Sequence, residues 1–480
     1  MKITPPEIKR PKTFVTLCVL YGLGFLSIIR ANFLYTDDTV RAFFGGPHWW
    51  NWSRYGSDIL SVLIHSDKTL SDISPLTQIL AVLALALAST ILIHIFYEKK
   101  RFSFLTCFAA LPLGLSPYFL QCISYRFDAP YMAASVLAAV LPLLFCGYKD
   151  RKSLIGYGIV CVLCGIFICV TYQVSLGIFP MAILFLCARR LQNREKPKDV
   201  LKFMGLSAAF YLVGIVIFRL FLMKTLDAGY TSNTILSMKD LISGCISNLK
   251  TYYGLMWEDL KFGWKILMAL ICLSYMVLFT LKSNINKVAA FFVSVLVLLL
   301  CAVLSFPYII FENPLLSPRG MYGWGAFLAL VSLQCCNLTR TPVVKILAFY
   351  LSWCFFSFAF EYGNALYQQK QWKEFRVNLV VSDLNQIIQD GKRYLFLVSG
   401  PIGKAPAIVQ KKHAKILDRL VPEVHSYPGL EFHISNFLGL QDYLLPDNNL
   451  VLNTMELPLI KETTYHTIRG DNEHILVILK

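Results

Sequence analysis

The segment WKILMALICLSYMVLFTLKSNINKVAAFFVSVLVLLLCAVLSF, residues 264–306, contains two apolar runs separated by a short polar turn. The first run ends at Lys282 and the second begins after Lys287. A helix that crosses a bilayer needs about 20 predominantly apolar residues, or somewhat fewer with flanking anchors. The segment therefore predicts two antiparallel membrane-spanning helices joined by a cationic connection.

The same pattern extends over most of the chain. Of its 480 residues, 56% are hydrophobic and 15% are charged, and the mean hydropathy is +0.56. Soluble domains carry roughly 25% charged residues, so this composition excludes an ordinary soluble enzyme and a disordered chain. We predict an all-α polytopic membrane protein with about nine to eleven spans, at residues 13–29, 74–96, 102–117, 130–147, 153–171, 175–188, 203–223, 264–281, 288–306, 322–337 and 344–360.

The basic residues gather in short connections between the apolar runs. Cytoplasmic loops of membrane proteins carry an excess of Lys and Arg, which predicts a cytoplasmic N-terminus and an extracytoplasmic C-terminus. The formal net charge of +16 therefore does not indicate a nucleic-acid partner. The clusters lie at residues 2–12, 99–101, 149–152, 189–202, 282–287 and 340–345.

Two regions divide the chain. Residues 1–360 form the predicted transmembrane domain, with long outer loops at 30–73 and 224–262. Residues 361–480 are more polar and predict a small extracytoplasmic α/β domain, with helices at 364–390 and 405–420 and strands at 394–398 and 474–480. In the first outer loop, polar residues recur at helical spacing from Arg54 to Lys68, which predicts an amphipathic helix lying in the membrane surface.

Two adjacent carboxylates, Asp37 and Asp38, follow the first span. Carboxylates near lipid usually line a protein or water-filled cavity, and one member of a repelling pair can serve as a general base. The alternative is structural, because either residue can cap a helix and Asp37 can pair with Arg41 four positions on. The residues alone leave both interpretations open.

Two further outer turns carry charged side chains. Arg126 and Asp128 lie between the third and fourth spans, and Arg319 lies between the ninth and tenth. An arginine at this face can hold a phosphate through its forked donors, but it can equally be an interfacial residue that keeps its charge in water.

Polar and aromatic residues complete the candidate site. Tyr172 and Gln173 lie in an otherwise apolar turn and either bond a sugar hydroxyl or satisfy helix ends. Trp52 and Tyr55 belong to an aromatic cluster that either stacks on sugar rings or anchors the chain at the interface. The chain carries no Walker loop, GxSxG, HExxH or paired CxxC motif.

The order of these features resembles the C-type glycosyltransferase superfamily, whose multi-spanning members use polyprenyl-phosphate sugars at the outer membrane face. More narrowly, it is similar to the serotype-converting O-antigen glucosyltransferases of temperate phages and enteric bacteria. The motifs that carry the resemblance lie within residues 1 to about 360. They are Tyr35-Thr-Asp37-Asp38-Thr-Val-Arg41, Trp52-Ser-Arg54-Tyr55-Gly56, Tyr125-Arg126-Phe127-Asp128, Tyr172-Gln173 and Pro318-Arg319-Gly320.

The resemblance implies transfer of glucose from undecaprenyl-phosphate glucose to a hydroxyl of the O-antigen (lipopolysaccharide) repeat, at the periplasmic face of a bacterial inner membrane. The reaction would invert the anomeric configuration, with Asp37 or Asp38 as the base and Asp37 preferred. Another polyprenyl-phosphate sugar is the alternative donor, and a polymerase or a transporter is the alternative class. No cofactor is implied, although a divalent cation held by Asp37 and Asp38 stays open. The donor phosphate would contact Arg126, Arg319 and Arg54, and the sugar or acceptor would contact Asp128, Tyr172, Gln173, Trp52 and Tyr55.

Overall fold

The computed structural model describes residues 11–46, 49–98, 103–224, 232–339, 341–410, 415–423, 430–446 and 457–480. Most of these residues form a bundle of apolar helices whose direction alternates along the chain. The helices up to the C-terminal region are α1 (Pro11–Ala31), α2 (Asp37–Phe44), α3 (Tyr55–His65), α4 (Leu76–Phe96), α5 (Phe104–Ala110), α6 (Pro112–Leu115), α7 (Pro117–Ser124), α8 (Ala129–Val140), α9 (Arg151–Thr171), α10 (Ile178–Gln192), α11 (Pro197–Ile217), α12 (Leu241–Asp259), α13 (Phe262–Lys282), α14 (Lys287–Leu304), α15 (Gly323–Leu338) and α16 (Pro342–Leu384).

The lengths of these helices confirm a polytopic membrane protein. Among the described residues, eight helical segments of at least 18 residues are apolar enough to cross a bilayer, and one bent pair adds a ninth. Two shorter apolar helices, Ala129–Phe145 and Gly323–Leu338, continue the alternating path. The predicted range of nine to eleven spans is reached when the bent and short helices are included.

The bent pair differs from the predicted span at 102–117. The chain forms Phe104–Leu115, turns by 61° and continues as Pro117–Ser124. Proline lacks a backbone N–H and its ring collides with the carbonyl one turn earlier, so Pro112 and Pro117 interrupt the helix. The predicted outer loop from residue 118 is therefore partly helical, and the turn that carries Arg126 and Asp128 follows directly after α7.

The amphipathic helix predicted near residues 54–68 is α3. Ser57 and Ser61 face the protein and are buried, whereas Ile59 and Leu63 are 63% and 68% exposed. The helix is therefore amphipathic, and its position in the membrane surface stays a prediction.

The helix α16 has 43 residues and continues past position 360, where the composition changes. Its first half packs against α1. A Cβ atom on Gly363 would lie 2.4 Å from the Ser27 carbonyl carbon, so glycine permits the close approach of the two backbones. Ser27 Oγ donates a hydrogen bond of 2.9 Å to the Ala359 carbonyl. The predicted division at 360/361 therefore falls inside one continuous helix.

The second half of α16 packs on the C-terminal sheet, which confirms the small α/β region. Arg376 on this helix donates to the carbonyls of Tyr465 at 2.7 Å and Lys480 at 2.9 Å. The five strands have the order β2-β1-β5-β4-β3, with β1 parallel to β2 and β5 and the other pairs antiparallel. They are β1 (Tyr394–Ser399), β2 (Leu444–Pro446), β3 (Leu459–Glu462), β4 (His466–Gly470) and β5 (His474–Leu479).

The helix predicted at 405–420 is present only in part. The described residues there form α17 (Pro406–Val409) and α18 (Ile416–Leu420), and α19 (Leu430–Phe432) follows. Residues 411–414 lie outside the described part of the chain. Ile416, Leu417 and Leu420 are buried against the membrane bundle rather than against the sheet, so α18 connects the C-terminal region to the bundle.

Candidate functional site

A cavity of about 290 Å³ opens at the end of the bundle where α1, α9, α11 and α14 terminate. Charged and polar side chains occupy one part of its wall and apolar side chains the other. The residues that line it are Asp37, Arg41, Trp49, Trp52, Ser53, Arg54, Asp128, Cys169, Gln173, Leu176, Ile215, Val216, Phe218, Arg219, Met223, Ser232, Asn233, Ile235, Pro307, Tyr308, Ile310, Phe311, Leu315 and Arg319.

The two adjacent carboxylates have different surroundings. Asp37 is exposed and lines the cavity. Asp38 is completely buried, and its carboxylate accepts backbone N–H groups from Tyr35 at 3.2 Å, Arg126 at 3.1 Å and Phe127 at 3.4 Å. Asp38 thus ties the start of α2 to the turn after α7, and Asp37 is the carboxylate of the pair that faces the cavity.

Burial raises the pKa of Asp38 to about 8, and the nearby Asp128 carboxylate acts in the same direction. The charge of Arg41 and the N–H bond from Arg126 act against this rise in pKa. Desolvation disfavours the charged form of a carboxyl group, which is why a buried acid holds its proton to higher pH.

Asp128 is held in a compact group beside Asp37. It forms an ion pair with Arg41, and the indole N–H of Trp49 donates to its other oxygen at 2.5 Å. Arg41 also lies over the Trp49 ring, 4.5 Å from the centroid. These contacts fix Asp128 in the cavity wall and occupy both of its oxygens.

Two predicted arginines, Arg54 and Arg319, line the same cavity and are held over aromatic rings. The guanidinium carbon of Arg54 lies 4.7 Å from the centre of the Tyr172 ring, and that of Arg319 lies 4.6 Å from the centre of the Tyr125 ring. Tyr172 donates a hydrogen bond of 3.3 Å to the Arg319 carbonyl. The attraction between a cation and an aromatic face helps to fix the orientation of each guanidinium group. Two oriented guanidinium groups at one wall can bind an anion such as a phosphate.

The backbone is strained beside these residues. Thr36, which precedes Asp37, has a φ of 38°, and Ser53, which precedes Arg54, has a φ of 58°. Non-glycine residues adopt this left-handed region rarely, and such conformations cluster at functional sites.

Gln173, Trp52 and Tyr308 also line the cavity. Tyr308 donates a 3.4 Å hydrogen bond to the Gln173 side-chain oxygen. The ring of Trp52 lies 6.0 Å from the Arg54 guanidinium carbon.

The structure places the remaining predicted residues elsewhere. Arg126 lies outside the cavity, where it pairs with Asp72 at 2.5 Å and donates to Asn32 at 2.8 Å. Tyr172 is buried behind Arg54 and Arg319. Tyr55 lies on α3 and its ring is 6.0 Å from the Lys224 amine, outside the cavity wall.

Sequence reasoning missed Arg219, which lines the cavity at the end of α11. The last turn there widens, since Met223 N–H bonds to the Phe218 carbonyl five residues back at 2.9 Å. Wide turns of this kind are frequent at functional sites. An arginine inside an apolar run was the available signal, because charges in such runs are rare and usually functional.

The described residues contain no group of three or more His, Cys, Asp or Glu side chains arranged to hold a metal ion. Asp37 and Asp38 do not both face the cavity, so together they do not form a ready pair of ligands. The absence of a cofactor stays a prediction.

A second groove, of about 420 Å³, continues from this cavity between α10, α11 and α14. It shares Leu176 and Ile215 with the cavity, and its wall is apolar apart from the hydroxyl of Tyr211. Leu212 and Leu300 are 54% and 41% exposed at its outer edge, so the groove opens on the apolar surface of the bundle.

Comparison with known proteins gives the family of the chain. The family described as Glucosyl transferase GtrII matches residues 26–330, a range that contains every residue lining the cavity. A Salmonella phage P22 protein, described as an uncharacterized 55.3 kDa protein in the gtrB 5' region, is 25% identical over 244 residues. That match covers 50% of this chain and 48% of the phage protein, so the chain spans about half the length of this relative.

No solved structure is significantly similar. Because the family match covers most of the chain, including the whole cavity, this protein belongs to the GtrII glucosyl transferase family.

Proposed function

We propose that this enzyme transfers glucose from undecaprenyl-phosphate glucose to a sugar hydroxyl of the O-antigen repeat and so changes serotype. One observation carries the proposal: Asp37 faces the same cavity as Arg54 and Arg319, and an apolar groove leads from that cavity to the outside of the bundle. A carboxylate, a pair of cations and an apolar channel are what a sugar attached to a lipid phosphate requires.

The reaction is a single displacement at the anomeric carbon of the donor glucose. The acceptor hydroxyl oxygen forms the new bond, its proton passes to Asp37, and the bond from the anomeric carbon to the phosphate oxygen breaks. The electron pair of that bond leaves with the lipid phosphate. Arg54 and Arg319 stabilise the leaving phosphate, since fixed cations aimed at developing charge lower the barrier. The configuration at the anomeric carbon inverts.

The groove between α10, α11 and α14 accommodates the lipid chain of the donor. Its apolar wall is continuous with the cavity through Leu176 and Ile215, so the phosphate lies at the arginines while the chain remains among apolar side chains. A donor that stays in the bilayer can enter through this opening without leaving the lipid.

The site faces the periplasm of a bacterial inner membrane. The basic clusters at residues 149–152, 189–202 and 282–287 lie in connections at the opposite end of the bundle from the cavity. Cytoplasmic connections are the ones enriched in Lys and Arg, which favours an extracytoplasmic cavity.

The test uses Asp37→Asn in membranes supplied with undecaprenyl-phosphate glucose and a lipopolysaccharide acceptor. Removing a general base lowers rates by about 100-fold to 10,000-fold, so we expect glucose incorporation, followed by mass spectrometry, to fall at least about 100-fold. Glu312→Gln is the matched control, because Glu312 is an exposed carboxylate beside the cavity-lining segment and outside the cavity wall. Full activity of Asp37→Asn at equal expression would refute its role as the base. Failure of the unmodified protein to use this donor, with transfer from another polyprenyl-phosphate sugar, would refute glucose as the transferred sugar.

A further inference from the structure

The helix α18 belongs to the C-terminal region but lies against two segments that lead to cavity side chains, one before Asp37 and one before Arg319. Its neighbours in the bundle are the residues before α2 and the loop at 315–321. The loop at 315–321 carries Arg319. This contact is independent of the sheet, because the apolar residues of α18 are buried in the core of the membrane bundle.

Arg419 on α18 makes two polar contacts at once. It forms an ion pair with Asp259, whose side chain is only 2% exposed, and its other terminal nitrogen donates to the Leu316 carbonyl. Tyr118 donates a hydrogen bond of 3.2 Å to the same Asp259 carboxylate. One guanidinium therefore links the end of α12 to the loop three residues before Arg319.

The next residue, Leu420, extends this link to the other side of the cavity. Its carbonyl accepts the Tyr35 hydroxyl at 2.6 Å, two residues before Asp37. The Gln121 amide donates to the same hydroxyl at 3.0 Å, and its oxygen accepts the Arg319 backbone N–H at 2.7 Å. The loops that carry Asp37 and Arg319 are thus connected through α18 and Gln121.

The loop itself is wound tightly around Gly320. A Cβ atom at this position would lie 2.3 Å from the Leu315 carbonyl oxygen, so the loop allows only glycine there. Because the turn is this compact, a displacement of Leu316 moves Arg319 with it.

We propose that Arg419 is a positioning residue that sets the orientation of Arg319 toward the donor phosphate, so that the C-terminal region completes the phosphate-binding wall of the cavity. The inference rests on the proposed function, in which Arg319 contacts that phosphate. Arg419 acts through the loop and does not itself touch the donor.

Arg419 can make both contacts because its planar guanidinium group carries two terminal nitrogens that donate in different directions. Lysine carries its charge as a single point, so Arg419→Lys keeps a charge opposite Asp259 but does not span to the Leu316 carbonyl as well. This substitution separates positioning from folding, because the buried carboxylate retains its counter-charge. The double variant Arg419→Gln with Asp259→Asn removes both charges and cuts the same link without leaving an unpaired buried ion.

The experiment measures binding of undecaprenyl phosphate, which carries no sugar and is not turned over, to the purified full-length protein by its effect on thermal unfolding. We expect Arg419→Lys and the double variant each to weaken binding about tenfold, which corresponds to about 1.4 kcal/mol. Arg319→Gln should weaken it at least as much. Lys415→Gln is the matched control, because Lys415 precedes α18 and pairs with Glu258 at 3.7 Å in an exposed position, with exposed fractions of 69% and 64%.

The outcomes distinguish the inference from the function on which it rests. Weaker binding in Arg319→Gln with unchanged binding in both Arg419 variants overturns the positioning role and leaves the phosphate site intact. Unchanged binding in Arg319→Gln overturns the phosphate site itself. Equal weakening in Lys415→Gln and Arg419→Lys also overturns the positioning role, because it shows a general effect of disturbing α18.

Discussion

Replacing Asp38 by asparagine tests the contrast between the two adjacent carboxylates. The buried Asp38 side chain accepts three backbone N–H groups, from Tyr35, Arg126 and Phe127. Asparagine has one oxygen instead of two, so at least one of these buried donors loses its acceptor. An unsatisfied buried donor costs about 1–3 kcal/mol, which is the expected loss of unfolding free energy at low pH, where the acid is neutral in both states.

The unfolding free energy lost in Asp38→Asn should become smaller as the pH rises. The pKa of Asp38 is about 8 in the folded protein, against an ordinary value of 3.8. Between these values the unfolded chain releases the proton and the folded chain retains it, so the stability of the unmodified protein falls as pH rises. Asp38→Asn cannot titrate there. The unfolding free energy of the unmodified protein should therefore fall relative to that of Asp38→Asn by up to about 1.4 kcal/mol per pH unit.

The assay is thermal unfolding of both proteins in the same detergent at pH 3.5, 5, 6.5 and 8, with Asp37→Asn as the exposed control. The unfolding temperature of Asp38→Asn should lie below that of the unmodified protein at pH 3.5, and the order of the two temperatures should be reversed at pH 8, because the shift between these pH values exceeds the loss. A gap that widens with pH would refute the reasoning, because it would mean that the ionised carboxylate stabilises the fold through its N–H bonds.

Three other substitutions have expected outcomes. Gly363→Val places a side chain against the backbone of α1 and should lower the unfolding free energy by about 3 kcal/mol, seen as a lower unfolding temperature; an unchanged temperature would show that the helices can separate without loss. Trp49→Phe removes the indole donor to Asp128 and should cost about 1.5–3 kcal/mol, whereas Trp50→Phe at a 46% exposed position should change little; equal effects would contradict this. Arg376→Gln removes donors to strand-end carbonyls and should make the C-terminal sheet more sensitive to protease at unchanged helix content; equal protease resistance would count against that role.

Hydropathy predicted most of the fold, and its failures have clear causes. The spans, the amphipathic helix α3 and the strands at 394 and 474 follow from apolar periodicity, because the spacing of apolar residues reflects which side chains are buried or face lipid. The division at 360/361 records a change of environment as well, but the backbone of α16 does not change there. Helical hydrogen bonds continue because no proline interrupts residues 343–384, so the change of composition does not coincide with the end of a helix.

The candidate site was predictable only as a set of nearby residues. Asp37 and Asp38 are chemically identical, and what separates them is a group of backbone donors at Arg126 and Phe127, about ninety residues away along the chain. No local pattern carries that information. Arg126 and Arg319 are equivalent in the sequence for the same reason, and only the contacts of Arg126 with Asp72 and Asn32 hold it outside the cavity.

Because α16 is unbroken, it fixes the rotation of the C-terminal sheet about the helix axis relative to the bundle. At about 1.5 Å per residue its 43 residues extend about 65 Å, roughly twice the hydrocarbon thickness of a bilayer. Each inserted residue would rotate everything beyond it by about 100°, because 3.6 residues make one turn. If C-terminal regions are exchanged between relatives within this helix, the number of residues at the junction therefore sets both the rotation and the height of the sheet. Only junctions that keep the residue count between Gly363 and Arg376 would return the sheet to its original orientation and height.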